Sequence, residues 1–359
     1  MQNPFTHTPG IAGNANIPTM LENEIYENFK FTPPSEHVYK IIGVRGSGKT
    51  VILGNVMRYY RAEEQRKDGW LVYELSSSRN PVKSMISYMM MEPEISDLRT
   101  KGKVDFSFTV PILGLNVSAG LEDEDISIYD EEVVIEKVVE TLVRKKKKIL
   151  IGIDDIAKTP AMTEFCSIYA KLIRKQTDEG YPWPVYLICS GVYENYYDLG
   201  EVDNLTFFKR AAEIKTVPLS TPDIALKYET TLAITESDAI KYAKETRGFA
   251  YAYQVFGSNY FQYKNEGIDY IKKAAKSELF SQCYEKIWKE LPKGEKELLR
   301  IIASGTNKRH DIMPKMNNGK NYQVYSTKLK NMGILIAENR GEVQFTLPYF
   351  DEYIQKYGD

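Results

Sequence analysis

The sequence predicts an α/β fold: a parallel sheet covered by helices, then a helical segment, then a small terminal domain of three helices and a β-hairpin. Three observations carry this. Short apolar runs alternate with stretches of helical spacing over the first 220 residues, the pattern of βαβ units. The first of these runs leads directly into a glycine-rich turn that opens a helix. After residue 220 the strand-like runs cease until residue 334.

Residues 1–35, rich in Asn, Pro and Thr, read as an irregular lead-in. Residues 38–42 form the first strand, and residues 51–66 follow with helical spacing. Residues 70–75 are a second strand and residues 81–91 a Met-rich helix. Residues 104–120 alternate as a β-hairpin turning near Gly114, so an insertion is expected at about 100–125, with acidic residues beside it. A helix over 133–143 and a basic run over 144–148 precede residues 149–153, a short apolar strand of the kind buried on both faces of a parallel sheet. A helix over 161–177, a strand over 185–190 and a fifth strand over 213–219 complete the core. Residues 221–290 read as wholly helical, with aromatic residues at helical spacing from Tyr251 to Phe261. The expected division is therefore 1–220 for the core, 221–290 for the helical segment and 291–359 for the terminal domain.

Composition narrows the possibilities. Hydrophobic residues are 43% and charged residues 27%, ordinary globular proportions that argue against a disordered or fibrous chain. A net charge of −2 excludes a generally cationic polyanion binder, so any nucleic-acid surface must be local. Three scattered cysteines and three scattered histidines offer neither a disulfide framework nor a zinc cluster. No apolar run approaches the roughly 18 residues that span a bilayer, and the first residues lack the pattern of a secretion signal. A soluble cytoplasmic protein is expected.

The most specific signal is Gly43-Val44-Arg45-Gly46-Ser47-Gly48-Lys49-Thr50, which fits G-x-x-x-x-G-K-[ST], the P-loop. Glycines let backbone N–H groups turn towards phosphate oxygens, and the following helix presents its N-terminus to the same anion. Lys49 is expected on the β- and γ-phosphates and the Thr50 hydroxyl on Mg²⁺. Arg45, within the loop and one of its cofactor-binding candidates, either touches phosphate or faces solvent. The second signal is Ile149-Leu150-Ile151-Gly152-Ile153-Asp154-Asp155, an apolar strand ending in two carboxylates at the sheet edge where ligands bind. Asp154 would hold Mg²⁺ and Asp155 would orient the attacking water. Ser190, ending the strand over 185–190, would either sense the γ-phosphate or be a turn serine. Arg210, just before the last strand, is either a surface arginine or a finger on a γ-phosphate of its own or a neighbouring subunit. A finger of that kind is worth about 10³–10⁵ in rate.

These segments, with Cys189-Ser190-Gly191, the Pro218-Leu219-Ser220 stretch after Arg210 and the run from Thr246 to Gln254, resemble the AAA+/STAND-type P-loop ATPases, nearest the archaeal-type and bacterial ATP-binding members. The resemblance spans about residues 15–350. It implies ATP or ADP with Mg²⁺ as ligands and a P-loop NTPase core followed by a helical lid and a C-terminal winged helix-turn-helix domain. Two features depart from the pattern. Gly248-Phe249-Ala250 lacks the proline of STAND lids, and no Arg-Glu pair precedes the first strand. Asp rather than Glu at position 155 favours the STAND branch.

Within the terminal domain, residues 294–303, 311–316 and 322–332 read as the three helices. Residues 334–337 and 343–347 read as the wing. From 301 to 340, Lys308, Arg309, Lys315, Lys320, Lys328, Lys330 and Arg340 face only Asp311 and Glu338, a footprint that suits nucleic-acid phosphates. Gln323, Tyr325, Ser326 and Lys328 are expected on or near the exposed face of the third helix. Protein contact or docking on the core is the alternative use of such a domain. The leading expectation is an ATP-binding, ATP-hydrolysing switch whose nucleotide state controls conformation or assembly, either with itself or with another protein. The alternatives are an ATPase that binds double-stranded DNA through the winged helix, and a nucleotide-binding interaction protein without turnover.

Overall fold

The computed structural model describes residues 2–6, 8, 13–95, 130–202, 205–337, 339 and 341–358. The hairpin expected at 100–125, and with it Glu338 and Arg340, lies outside the described residues.

Five parallel strands form the central sheet: β1 (Val38–Ile42), β2 (Trp70–Ser76), β3 (Lys148–Asp154), β4 (Val185–Gly191) and β5 (Ala212–Lys215). Their order is β2-β3-β4-β1-β5. The chain leaves β1 towards β2 but leaves the adjacent β4 in the opposite direction, over β1 to β5, so the topological switch point falls between β1 and β4. In open α/β sheets that is where ligands sit, beyond the carboxyl ends of the strands. Alternation of side chains along each strand sorts the two faces. Ile149, Ile151, Ile153, Val185 and Leu187 join a cluster with Ile135, Val139, Met162 and Phe165. Those four come from α5 (Glu131–Arg144) and α6 (Pro160–Leu172). Leu150, Ile188, Tyr39 and Ile41 face the other way, onto Ile25 of α1 (Leu21–Asn28) and Ile52 and Val56 of α2 (Lys49–Arg61).

Several boundaries differ from the sequence expectation. The lead-in contains α1, whose Ile25 is fully buried although its neighbours are polar or exposed. Residues 51–66 divide into α2 and α3 (Glu63–Lys67), because Ala62 between them is extended at ψ 150°. Strand β5 ends at Lys215 rather than at 219. Pro218 has no N–H to continue a ladder, and the Leu219 N–H donates instead to the Gly248 carbonyl at 2.8 Å. After α4 (Pro81–Met89) and the helices already given, the core closes with α7 (Tyr193–Gly200) and α8 (Thr206–Arg210).

The second half is helical as expected: α9 (Thr221–Leu232), α10 (Glu236–Glu245), α11 (Ala250–Tyr263), α12 (Ile268–Leu279), a π turn (Phe280–Tyr284) and α13 (Glu285–Glu290). Beyond it come α14 (Lys293–Ala303), α15 (Arg309–Ile312) and α16 (Tyr322–Asn331), then the antiparallel pair β6 (Leu335–Ala337) and β7 (Val343–Phe345). A final helix, α17 (Phe350–Tyr357), buries Phe350, Tyr353 and Ile354 and was not anticipated from sequence. One hydrophobic cluster runs from Tyr228 and Phe256 through Ile287 to Leu299, Leu329 and Phe350, so the lid and the terminal helices share a core. No described helix is long and apolar enough to cross a membrane.

Candidate functional site

The loop between β1 and α2 is shaped by two glycines at positive φ, Gly46 at 83° and Gly48 at 95°. A side chain at either would be strained. At Gly46 there is no room in any case, since a Cβ would lie 2.9 Å from both the Phe249 ring and the Tyr251 Cβ. Gly48 is the N-cap of α2, so that helix points its free N–H groups into the loop. Lys49 is the first residue of α2 and is buried, and its Nζ donates to the Val44 carbonyl at 3.0 Å. Burial pulls its ammonium down to about 8, while Asp155 and Asp154 act to hold it up. The Ser47 Oγ and the Arg45 Nε are buried without a hydrogen-bond partner. Two unpartnered polar groups beside a buried ammonium and a helix N-terminus make a donor set suited to an anion.

Two strand ends and the first turn of α2 meet under this loop. The Thr50 hydroxyl donates to Asp154 Oδ1 at 3.2 Å, and the Ser190 hydroxyl donates to the same oxygen. Ser190 Oγ also accepts the Asp155 N–H at 3.3 Å. That bond helps to hold Asp155 at φ 50°, a backbone region costly for a residue other than glycine and one that clusters at functional sites. Ser190 therefore positions both acids, and its side chain is buried. Thr50 and Asp154 form an all-oxygen pair, the donor set Mg²⁺ takes when phosphates and waters complete its shell. The residues present fit that ion.

A cavity of about 450 Å³ opens over these groups. The P-loop, Asp154, Asp155 and Ser190 form its floor. Thr6, Thr8, Asn16, Ile17 and Glu22 line one side, and Tyr251, Gln254, Gln282, Cys283 and Lys286 of the lid line another. The lid touches the loop directly: the Tyr251 N–H donates to the Gly46 carbonyl at 3.0 Å and the Cys283 thiol to the Arg45 carbonyl at 3.6 Å. Sequence reasoning missed these lid residues. Arg45 is half-exposed and pairs with Glu290 of α13 at 3.2 Å. Arg210 stands apart. It is exposed, it ends α8 at the edge of the sheet where β5 begins, and it does not line the cavity.

On α16 the exposed residues are Gln323, Val324 and Thr327. Two residues expected on or near the exposed face are turned elsewhere. Ser326 is buried, because positions 322, 326 and 329 form the stripe that packs into the core. The Lys328 ammonium lies 3.2 Å from Glu295 and 4.0 Å from Glu194 of α7.

Against known proteins, residues 281–354 match the profile of a domain of unknown function (DUF8462). A comparison with curated proteins finds no match. Among solved structures, the Walker-type ATPase of Pyrococcus abyssi superposes with a TM-score of 0.57 at 14% identity, over 93% of this chain and 94% of that one. The ORC2 protein of Aeropyrum pernix, solved as ADPNP–ADP complexes, gives 0.55 at 13% identity over 94% and 91%. The chain has the α/β fold of the AAA+ P-loop ATPases.

Proposed function

We propose that this protein is an ATP-binding and ATP-hydrolysing AAA+/STAND-like switch whose nucleotide state sets its conformation or assembly. One observation carries the reading: a phosphate cradle with unpartnered donors stands over preassembled Thr50, Asp154 and Ser190, and the lid touches that cradle. Lys49 and the N–H groups of α2 bind the phosphates. Thr50 and Asp154 would hold Mg²⁺, which neutralises charge on the phosphate oxygens when bound. Asp155, fixed by Ser190, orients the water that attacks the terminal phosphorus as the bond to the bridging oxygen breaks. Arg210, outside its own cavity, is a group for the site of a neighbouring copy. The division into core at 1–220, lid at 221–290 and winged helix at 291–359 belongs to this proposal. So does the use of ATP or ADP as ligand, which the nucleotide complexes of the Aeropyrum relative support.

The test measures ADP and ATP-analogue binding, ATP turnover and particle mass in each nucleotide state. Wild type is expected to bind both nucleotides and to change mass or shape between them, and Lys49→Ala to bind neither. Turnover no greater than that of Lys49→Ala would leave a nucleotide-binding protein without hydrolysis.

A second reading, an ATPase that binds duplex DNA, is favoured by the exposed Lys308, Arg309, Lys315 and Lys320 around α15. Lys328 does not support it, being engaged by Glu295 and Glu194. Under this reading, binding weakens with salt and replacing Lys315 and Lys320 lowers the logarithmic salt slope by about 0.9 each. Absence of binding at low salt removes it.

A further inference from the structure

We propose that Asn195 is a positioning residue for Asp155: by holding Ile156, it keeps the water-orienting carboxylate on a strained turn. The inference rests on the hydrolysis reading above. Strand β3 is paired with β4 as far as Ile153, opposite Cys189. The pairing lapses at Asp154 and Asp155, and a bond to β4 returns at Ile156, whose N–H donates to the Ser190 carbonyl at 2.9 Å. Both acids thus stand on a short stretch fastened to β4 at each end.

Within that stretch Asp155 has φ 50°. A residue other than glycine keeps such a backbone only where its surroundings over-determine it. Ser190 supplies part of the restraint, through the Asp155 N–H and the Ile156 N–H. The exit from the turn is held by a different element. Asn195, in the first turn of α7, donates from Nδ2 to the Ile156 carbonyl at 2.6 Å. Ile156 is fully buried, and a Cβ on Gly191 would lie 2.9 Å from its Cγ2, so it packs on the backbone that follows Ser190. The N–H, carbonyl and side chain of the residue after Asp155 are therefore all committed. Of the polar side chains that impose this, Ser190 also bonds Asp154, whereas Asn195 does not line the cavity. Asn195 thus acts on the turn alone. A group that orients a nucleophile loses rate steeply when displaced, about 10²-fold for 1 Å. Without the Asn195 bond the turn can relax and carry the Asp155 carboxylate away from the attacking water. Lys49, Thr50 and Asp154, which face phosphate and metal, keep their own bonds.

The test is steady-state ATP turnover beside equilibrium binding of ADP and a non-hydrolysable ATP analogue, each with Mg²⁺, on the full chain. Asn195→Leu keeps the size of the side chain and removes its donor. It is expected to lower kcat about tenfold and to leave both nucleotide affinities within about twofold of wild type. Asn195→Ala, which needs no extra room, is expected to do the same, so misfolding of one variant does not decide the matter. In an Asp155→Ala background the leucine substitution is expected to cost nothing further, because no carboxylate is left to misplace. Three results overturn the assignment and leave the nucleotide reading standing: wild-type turnover in the Asn195 variants, an equal loss in the Asp155→Ala background, or a loss of affinity as large as the loss of rate. If wild type hydrolyses ATP no faster than Lys49→Ala, the hydrolysis reading itself fails and the assignment falls with it.

Discussion

The wall of the cavity formed by Thr6 and Thr8 depends on a side chain far from the P-loop in sequence, and Gly257 tests that dependence. Phe5 is buried against Tyr228 and Tyr253 of the lid, at ring separations of 5.8 and 5.7 Å. Asn3 donates to Ser258 at 2.9 Å and the Thr6 N–H to Gln254 at 3.0 Å, fixing the segment on α11. Gly257 lies within α11, and a Cβ there would sit 2.3 Å from the Phe5 ring. Gly257→Ala therefore has two opposed effects. Alanine in place of glycine stabilises a helix by about 1 kcal/mol. Expelling the Phe5 ring costs about 1.5–3 kcal/mol of apolar burial. The net expectation is a destabilisation of about 0.5–2 kcal/mol, with each kcal/mol moving the melting midpoint by about 2–4 °C. In a Phe5→Ala background the clash is gone, and the same substitution is expected to raise the midpoint. Thermal melts of the four proteins give the answer by sign. If Gly257→Ala raises the midpoint in wild type, or lowers it equally in both backgrounds, the reasoning is wrong.

Two further predictions follow from the floor of the site. The folded Lys49 value of about 8 lies below its ordinary 10.5, so the apo protein carries the penalty of a buried charge below pH 8 and loses it as pH rises from 8 to 10.5. Phosphate needs the charged form, so nucleotide affinity is expected to fall as pH rises through 8, with proton uptake on binding that calorimetry in buffers of different ionisation heat detects. A flat profile would contradict the burial of Lys49. Ser190→Ala removes the hydroxyl that joins Asp154 to the Asp155 N–H, and is expected to slow turnover by about 10–100-fold. Nucleotide affinity should change little, which steady-state kinetics beside equilibrium binding will show.

The sheet and its phosphate loop were legible because their signals are local. A strand buried on both faces reads as a continuous apolar run, as Ile149 to Ile153 does, and the P-loop is a contiguous backbone device. Helix α1 was not legible, since Leu21–Asn28 commits Ile25 fully and Leu21 and Tyr26 only partly to the core, and its remaining residues are polar. The inward turn of Ser326 required knowing which stripe of α16 packs, and a ten-residue helix of mixed character does not declare it. The use of Lys328 was hidden for a different reason. Its partners Glu194 and Glu295 lie 134 and 33 residues away in sequence, and only the packing of α7, α14 and α16 brings them together. The same holds for Tyr251 and Cys283, whose contacts with Gly46 and Arg45 arise from the packing of the lid on the core.

Where the polar contacts fall indicates which parts can move together. Lid and terminal segment are joined by Arg247 donating to the Phe345 carbonyl at 3.4 Å, Tyr284 to the Pro348 carbonyl at 2.5 Å, Lys276 pairing with Glu352 at 2.9 Å and the Tyr349 hydroxyl bonded to Glu245. Beneath these bonds runs a continuous apolar core. Separating lid from terminal segment would expose that core and break buried hydrogen bonds together. Against the α/β core, the same body makes polar contacts of a different kind. Tyr251 and Cys283 bond P-loop carbonyls, Arg45 pairs with Glu290, and Lys328 approaches Glu194, four residues after Ser190. Burial holds the Glu194 carboxyl above its usual range, and one of its oxygens lacks a hydrogen-bond partner. A half-buried carboxylate with one unpartnered oxygen is a weak point in an interface. The least costly motion expected is thus a rotation about the cavity of one body made of lid, terminal segment and the N-terminal residues bonded to α11. Each of these four contacts involves either the P-loop or the helix that follows the Ser190 strand, so a change of charge in the cavity would act directly beside them.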